Sequence, residues 1–228
     1  MRNRWELLTF LHWRYDAAVV QQLLPPGLTV DTFDGSAWVA LVPFYMRISL
    51  PVGPSLPWAS RFCETNVRTY VRDEFGRPGV WFLSLDASRL GAVVTARTTY
   101  RLPYFWSKMR IGVRGDLVAY SCVRRWPGPR GASSRVVVRL GEPYATSDLG
   151  PLDHFLTARW SVFSVTGGRA TFAQAWHDPW PLRRATVVTL DDQLITAAGL
   201  PAPQGDPLVH YSTAVDVRLS GPQPVAAP

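Results

Sequence analysis

Ala37-Trp38-Val39-Ala40-Leu41-Val42-Pro43-Phe44-Tyr45-Met46-Arg47-Ile48 is the stretch on which the fold turns. At strand periodicity Trp38, Ala40, Val42, Phe44 and Met46 share one face, while Val39, Leu41 and Tyr45 share the other. Both faces are apolar, so this strand is expected to be central, with neither side left to solvent. Just upstream, Asp34-Gly35 has the chemistry of a tight turn and predicts a hairpin between residues 28–33 and 37–48. Before that, Asp16 is a candidate N-cap for a helix over residues 17–24, stopped by Pro25-Pro26-Gly27. Residues 7–13 read as a strand.

Downstream, residues 49–60 are rich in proline and read as a loop. Strand-like runs recur at 65–72, 80–86, 92–100, 111–125, 135–140, 159–165, 169–176, 185–190 and 210–219. Gly76-Arg77-Pro78-Gly79 and residues 112–116 supply turn or bulge chemistry, and Thr166-Gly167-Gly168 predicts a hairpin turn. Short helices are expected at 152–158 and 191–198. Many strands with few helices indicate a β-rich α+β protein, a barrel or sandwich with peripheral helices. No linker or repeat divides the chain, so one domain is expected over residues 1–220, with a flexible Pro/Ala tail at 221–228.

The chain has 228 residues, 47% hydrophobic and 18% charged, which describes a globular protein able to bury a core. No apolar run approaches the roughly 20 residues that span a bilayer. The N-terminal residues lack the pattern of a signal peptide, so a cytoplasmic location and no membrane partner are expected. Cys63 and Cys122 are too few for a cysteine zinc site and need no disulfide. The net charge of +7 comes from arginines scattered through strands, without a zinc-finger, helix-turn-helix or aromatic RNA-binding pattern, so no nucleic-acid partner is expected. Lys108 is the single lysine. Any imine chemistry must use it or the N-terminal amine, because arginine stays protonated.

The chain carries no glycine-rich phosphate loop, dinucleotide fingerprint or Gly-x-Ser-x-Gly elbow, and its four histidines lack metal-ligand spacing. Neither cofactor nor metal is expected. What stands out is Glu64-Thr65-Asn66-Val67-Arg68-Thr69-Tyr70, whose alternation puts Glu64, Asn66 and Arg68 on one face. Turned inward, that face would hold a small organic acid or shift a carboxylate pKa; turned outward, it is an ordinary solvated strand face. His12-Trp13 and His210-Tyr211-Ser212-Thr213 are weaker pocket candidates. Trp176-His177-Asp178-Pro179-Trp180-Pro181-Leu182 reads as a pocket lip or a covered loop.

Several stretches together carry a family resemblance. They are Leu24-Pro25-Pro26-Gly27-Leu28, Asp31-Thr32-Phe33-Asp34-Gly35, Val42-Pro43-Phe44, Asn66-Val67-Arg68-Thr69-Tyr70-Val71, Gly79-Val80-Trp81-Phe82-Leu83-Ser84-Leu85-Asp86, Leu102-Pro103-Tyr104, Trp180-Pro181-Leu182 and His210-Tyr211-Ser212. The chain resembles the YqjF-like bacterial proteins, a family of unknown function within the acetoacetate decarboxylase-like superfamily. The resemblance implies a closed antiparallel β-barrel with a central cavity and a few flanking helices. True decarboxylases of that superfamily carry a lysine directly after a proline, a second lysine beside it, and a glutamate about 40 residues upstream. Here Glu64 is similar to that glutamate and Pro103 to the proline, while Tyr104 and Phe105 occupy the lysine positions.

The expectation is therefore a small-molecule-binding barrel acting without an imine on a small carbonyl compound or organic acid. Glu64 and Tyr104 are its catalytic candidates, and Arg68, Asn66, His12 and His210 its substrate-binding candidates. A non-catalytic binding or sensing protein is the alternative, and a Schiff-base lyase through Lys108 the third. A homo-oligomer is left open.

Overall fold

The central strand is the wall on which everything else is built. In the computed structural model, which describes residues 2–49 and 60–225, the chain runs through β1 (Arg2–Tyr15), α1 (Ala17–Gln21), β2 (Leu28–Val30), β3 (Ala37–Ser49), β4 (Arg61–Asp73) and β5 (Pro78–Ala87). It continues through α2 (Leu90–Thr99), β6 (Tyr104–Arg114), β7 (Leu117–Trp126), β8 (Ser133–Pro143), α3 (Pro151–Thr157), β9 (Ser161–Thr166) and β10 (Arg169–Trp176). The last elements are β11 (Leu182–Asp192), α4 (Leu194–Ala197), β12 (Leu208–Leu219) and β13 (Gln223–Pro224). The loop expected at 49–60 lies outside the described residues except at its ends.

The sheet closes twice. Strands β12, β1, β3, β4 and β5 pair side by side. Strands β6, β7, β8 and β11 close one ring between β5 and β12. Strands β9 and β10 close a second ring between the same two strands, on the other face. The first ring is filled by residues such as Leu11, Leu41, Val67, Val118 and Val138, the second by Phe10, Val42, Phe44, Phe62 and Leu85. This is why β3 is apolar on both sides: each face lines a different core.

Several details differ from the sequence reading. The Asp34-Gly35 turn forms, with Asp34 at φ +50° and Gly35 at +74°, and Phe33 and Ser36 exchange backbone hydrogen bonds. However, β2 pairs with β4 rather than β3, because β1 and β4 already occupy both edges of β3. Residues 92–100, expected as a strand, lie largely in α2. The Val and Thr content of this segment suits a strand. Yet β5 and β6 pair in parallel, and parallel neighbours need a crossover, which α2 supplies. Finally, β5 also pairs in parallel with β9, so the barrel is not wholly antiparallel. Gly79 permits that approach, since a Cβ there would lie 2.5 Å from the Phe163 ring.

The run expected at 111–125 is divided by Gly115-Asp116 into the paired strands β6 and β7, and the other turns and caps form where the sequence places them. Asp16 caps α1 by accepting from the Ala18 amide at 2.7 Å. Gly167 and Gly168, both at positive φ, turn β9 into β10. Within the segment expected as a flexible tail, Gln223 and Pro224 instead form β13, which adds to the edge of β10.

Candidate functional site

Which way the polar face of β4 points decides whether there is a site. It points into the second ring: Glu64 is 2% exposed, Asn66 4% and Arg68 8%. The solvated-face alternative is therefore wrong. β3 contributes Phe44 and Val42 opposite Glu64 and Asn66. On β1, a bulge at Leu7 (φ +52°) lets Asn3 and Trp5 face the same interior as Leu8, Phe10 and His12. A non-glycine residue in this conformation costs on the order of 1–3 kcal/mol. The Tyr120 hydroxyl helps to hold it, donating to the Leu7 carbonyl at 2.8 Å and lying 2.8 Å from the Thr9 hydroxyl.

A cavity of about 350 Å³ opens at this end of the wall. Trp5, Met46, Phe62 and Leu85 form its strand side, and Gly91, Ala92, Thr95 and Ala96 of α2 form the other. Glu64 and Tyr104 are the polar pair set into this mostly apolar lining. The Tyr104 hydroxyl donates to Glu64 Oε2 at 2.9 Å. Burial pushes the Glu64 carboxyl up to about 8; hydrogen bonds from Tyr104 and Asn66 oppose that rise, and the charge of Asp86 adds to it. Tyr104 is driven well above the ordinary phenol range by burial and by the neighbouring Glu64. A carboxyl poised near neutrality beside a neutral phenol can take a proton, return it, and hydrogen-bond a developing oxyanion.

The other end of the same wall is different in kind. His12 Nε2 lies 2.7 Å from the Tyr70 hydroxyl, which donates to the Leu156 carbonyl at 2.7 Å, so the His12 nitrogen is the donor. His210 Nε2 meets Asp153 Oδ1 at 2.8 Å. The Arg68 guanidinium lies 5.3 Å from the Phe10 ring centre and 5.8 Å from that of Tyr70. Burial lowers His12 well below the usual imidazole value, and the charges of His210 and Arg68 lower it further. Burial also lowers His210, against the pull of Asp153.

The candidates thus divide. Glu64 and Tyr104 line the cavity, and Asn66, which is not part of its wall, reaches it only through its hydrogen bond to Glu64. Arg68, His12 and His210 gather farther along the wall and do not line it. Four residues of strand, about 13 Å, separate Glu64 from Arg68. Lys108 is exposed; it follows Tyr104 by the same four-residue step along β6 and is absent from the cavity wall. In the Trp176–Leu182 segment, Trp180 is buried against Phe10 and Trp5, whereas Trp176 is exposed. The α2 side of the cavity was missed. Its signal was the spacing of small residues at 91, 92, 95 and 96, which a helix brings to one face.

Comparison with known proteins agrees with this architecture. The chain is 33% identical over 219 residues to the uncharacterized protein YqjF of Bacillus subtilis (strain 168), covering 95% of this chain and 89% of that one. An acetoacetate decarboxylase-like enzyme from Sphingomonas wittichii RW1 superposes with a TM-score of 0.68 at 14% identity, over 99% of this chain and 92% of that one. MppR, an enduracididine biosynthesis enzyme complexed with the condensation product of pyruvate and imidazole 4-carboxaldehyde, also gives 0.68 at 14%, over 98% and 88%. Acetoacetate decarboxylase from Legionella pneumophila gives 0.65 at 13%, over 99% and 88%. These structures share the fold. The family described as uncharacterized conserved protein, DUF2071, matches residues 2–216, and the chain belongs to it.

Proposed function

We propose that this protein is an enzyme that moves a proton on a small carbonyl compound without forming an imine. The observation that carries the reading is the Glu64–Tyr104 pair, 2.9 Å apart and set into an apolar cavity, with the carboxyl raised to about 8. In this mechanism the Glu64 carboxylate removes a proton from the carbon next to the substrate carbonyl. The Tyr104 hydroxyl turns from Glu64 to the carbonyl oxygen and stabilises the enolate. The proton then returns from Glu64 to carbon or oxygen, giving exchange or tautomerisation with no net loss of atoms. Asn66 holds Glu64 from the side.

Solvent-deuterium exchange at the α-carbon of a panel of ketones and 2-keto acids, followed by NMR, tests this. Exchange should be catalysed, should rise with pH through about 8 as Glu64 becomes a base, and should vanish in Glu64→Gln. A panel without exchange in the unaltered protein would sink the enzyme reading. It would favour a binding protein for apolar metabolites, which the mostly apolar cavity lining supports as the second reading. The Schiff-base reading has little support, since the one lysine is exposed and outside the cavity.

A further inference from the structure

Where β12, β1, β3 and β4 end beside the cavity, arginines stand opposite arginines. Arg2 pairs with Arg218 across β1 and β12, Arg4 with Arg47 across β1 and β3, and Arg47 with Arg61 across β3 and β4. Like charges directly opposed in a sheet are destabilising. Glu6 bridges Arg4 and Arg47, and Asp216 meets Arg4 at 3.0 Å. Arg2, Arg61 and Arg218 have no ion pair among the described residues, and all three are exposed. These five guanidiniums line an open cleft of about 860 Å³ whose acidic lining residues are Asp178 and Asp216.

The cleft and the cavity are neighbours. Asn3, Ile48 and Ser60 line both. Arg2 and Arg4 alternate with Asn3 and Trp5 along β1, so the cationic row and the cavity occupy opposite faces of the same strand ends and meet at their rim. At that rim Asn3 is 4% exposed, yet neither its amide nitrogen nor its carbonyl oxygen has a hydrogen-bond partner. The Trp5 indole N–H, next along the same face, is also buried and unpartnered. Buried polar atoms are nearly always satisfied, so these two groups offer hydrogen bonds to whatever polar atoms enter the passage.

We infer that the ligand of the Glu64 cavity is an amphipathic anion. Its carboxylate or phosphate head sits among Arg2, Arg61 and Arg218, a polar group beside the head meets Asn3 and Trp5, and its apolar body runs inward to Glu64. At the ~30 Å³ share of a water molecule, the cavity holds a body of roughly a dozen non-hydrogen atoms. The cavity wall itself carries no basic side chain among the described residues, so the anion's counter-charge lies outside it. This inference rests on the cavity being the binding site, but not on any turnover there.

Calorimetric titration of the full chain at low salt with decanoate, decyl phosphate, decanol and inorganic phosphate, the amphiphiles kept below their micellar or solubility limits, tests it. The anionic probes should bind roughly tenfold tighter than decanol, the scale of a few exposed ion pairs. Raised salt and the Arg2→Ser/Arg61→Ser variant should remove most of that preference while leaving decanol affinity unchanged. The tighter of decanoate and decyl phosphate identifies the head group. Equal affinity for decanol and decanoate overturns the inference and leaves the Glu64 proposal standing. Binding of inorganic phosphate alone, with no amphiphile binding, also overturns it, as does binding of no probe; α-proton exchange then decides the Glu64 proposal separately.

Discussion

Two buried carboxylates face away from each other across the common wall, and their surroundings could hardly differ more. Asp86, in the first ring, receives two hydrogen bonds from Arg124, at 3.0 and 2.7 Å, and one from Ser107 at 2.6 Å. The Arg124 guanidinium lies 3.6 Å from the Phe105 ring centre. Glu64, in the second ring, has neutral donors, and burial raises it to about 8. One acid is neutralised by a cation and serves the framework. The other is left able to carry or release a proton, and it is the one that faces a cavity.

The largest test breaks the framework side. Arg124→Met should cost about 3–5 kcal/mol in denaturant unfolding, because it leaves Asp86 charged, buried and unpaired. A loss below about 1 kcal/mol would mean that the pair is not the framework element described.

Next comes Glu64→Gln, read as a change in pH dependence. Between the ordinary value of 4.5 and about 8, folded Glu64 keeps a proton that the unfolded chain has released. The Glu64 contribution to stability should therefore fall as pH rises through this window, by about 1.4 kcal/mol for each unit of pKa difference. It shows as a net decline above about 6.5, where the buried histidines no longer oppose it. The glutamine variant should lose that decline and keep the acid-side loss due to His12. That loss arises because His12 is depressed when folded and takes up its proton below about 6.5 only on unfolding. Unfolding curves at several pH values check both limbs, and an unchanged slope would contradict the raised carboxyl.

Tyr104→Phe sharpens the contrast further. It removes a donor to the carboxylate worth about 1.5–3 kcal/mol, so the Glu64 titration seen by carboxyl-carbon NMR should move higher still. The smallest effect is expected of Lys108→Met. As an exposed side chain outside the cavity, it should change stability by under about 0.5 kcal/mol and leave α-proton exchange intact.

Much of the second ring was legible in sequence. The alternation of β4 grouped Glu64, Asn66 and Arg68 correctly, and the double-sided apolarity of β3 marked it as central. The link between Glu64 and Tyr104 came from the family resemblance, since no local pattern ties residues 40 positions apart. Other features were not legible, for physical reasons. Closure into two rings depends on β5 meeting both β6 and β9, contacts set by tertiary packing rather than by period. α2 contradicts its own Val and Thr content because the crossover requires a helix. The arginine row draws on positions from 2 to 218, so no window along the chain contains it. The split between Glu64 and the Arg68–His12–His210 group arises because the inner face is longer than the cavity.

The shared wall has one more consequence. An amide of β3 between Val39 and Leu41 has a packed ring on each side and a strand along each edge, so no local opening brings water to it. Loss of either ring alone would still leave the other covering it. Backbone exchange with solvent deuterium along residues 39–41 therefore reports the unfolding of the whole fold, whereas α2, with one turn exposed at Leu90 and Val94, exchanges by local opening.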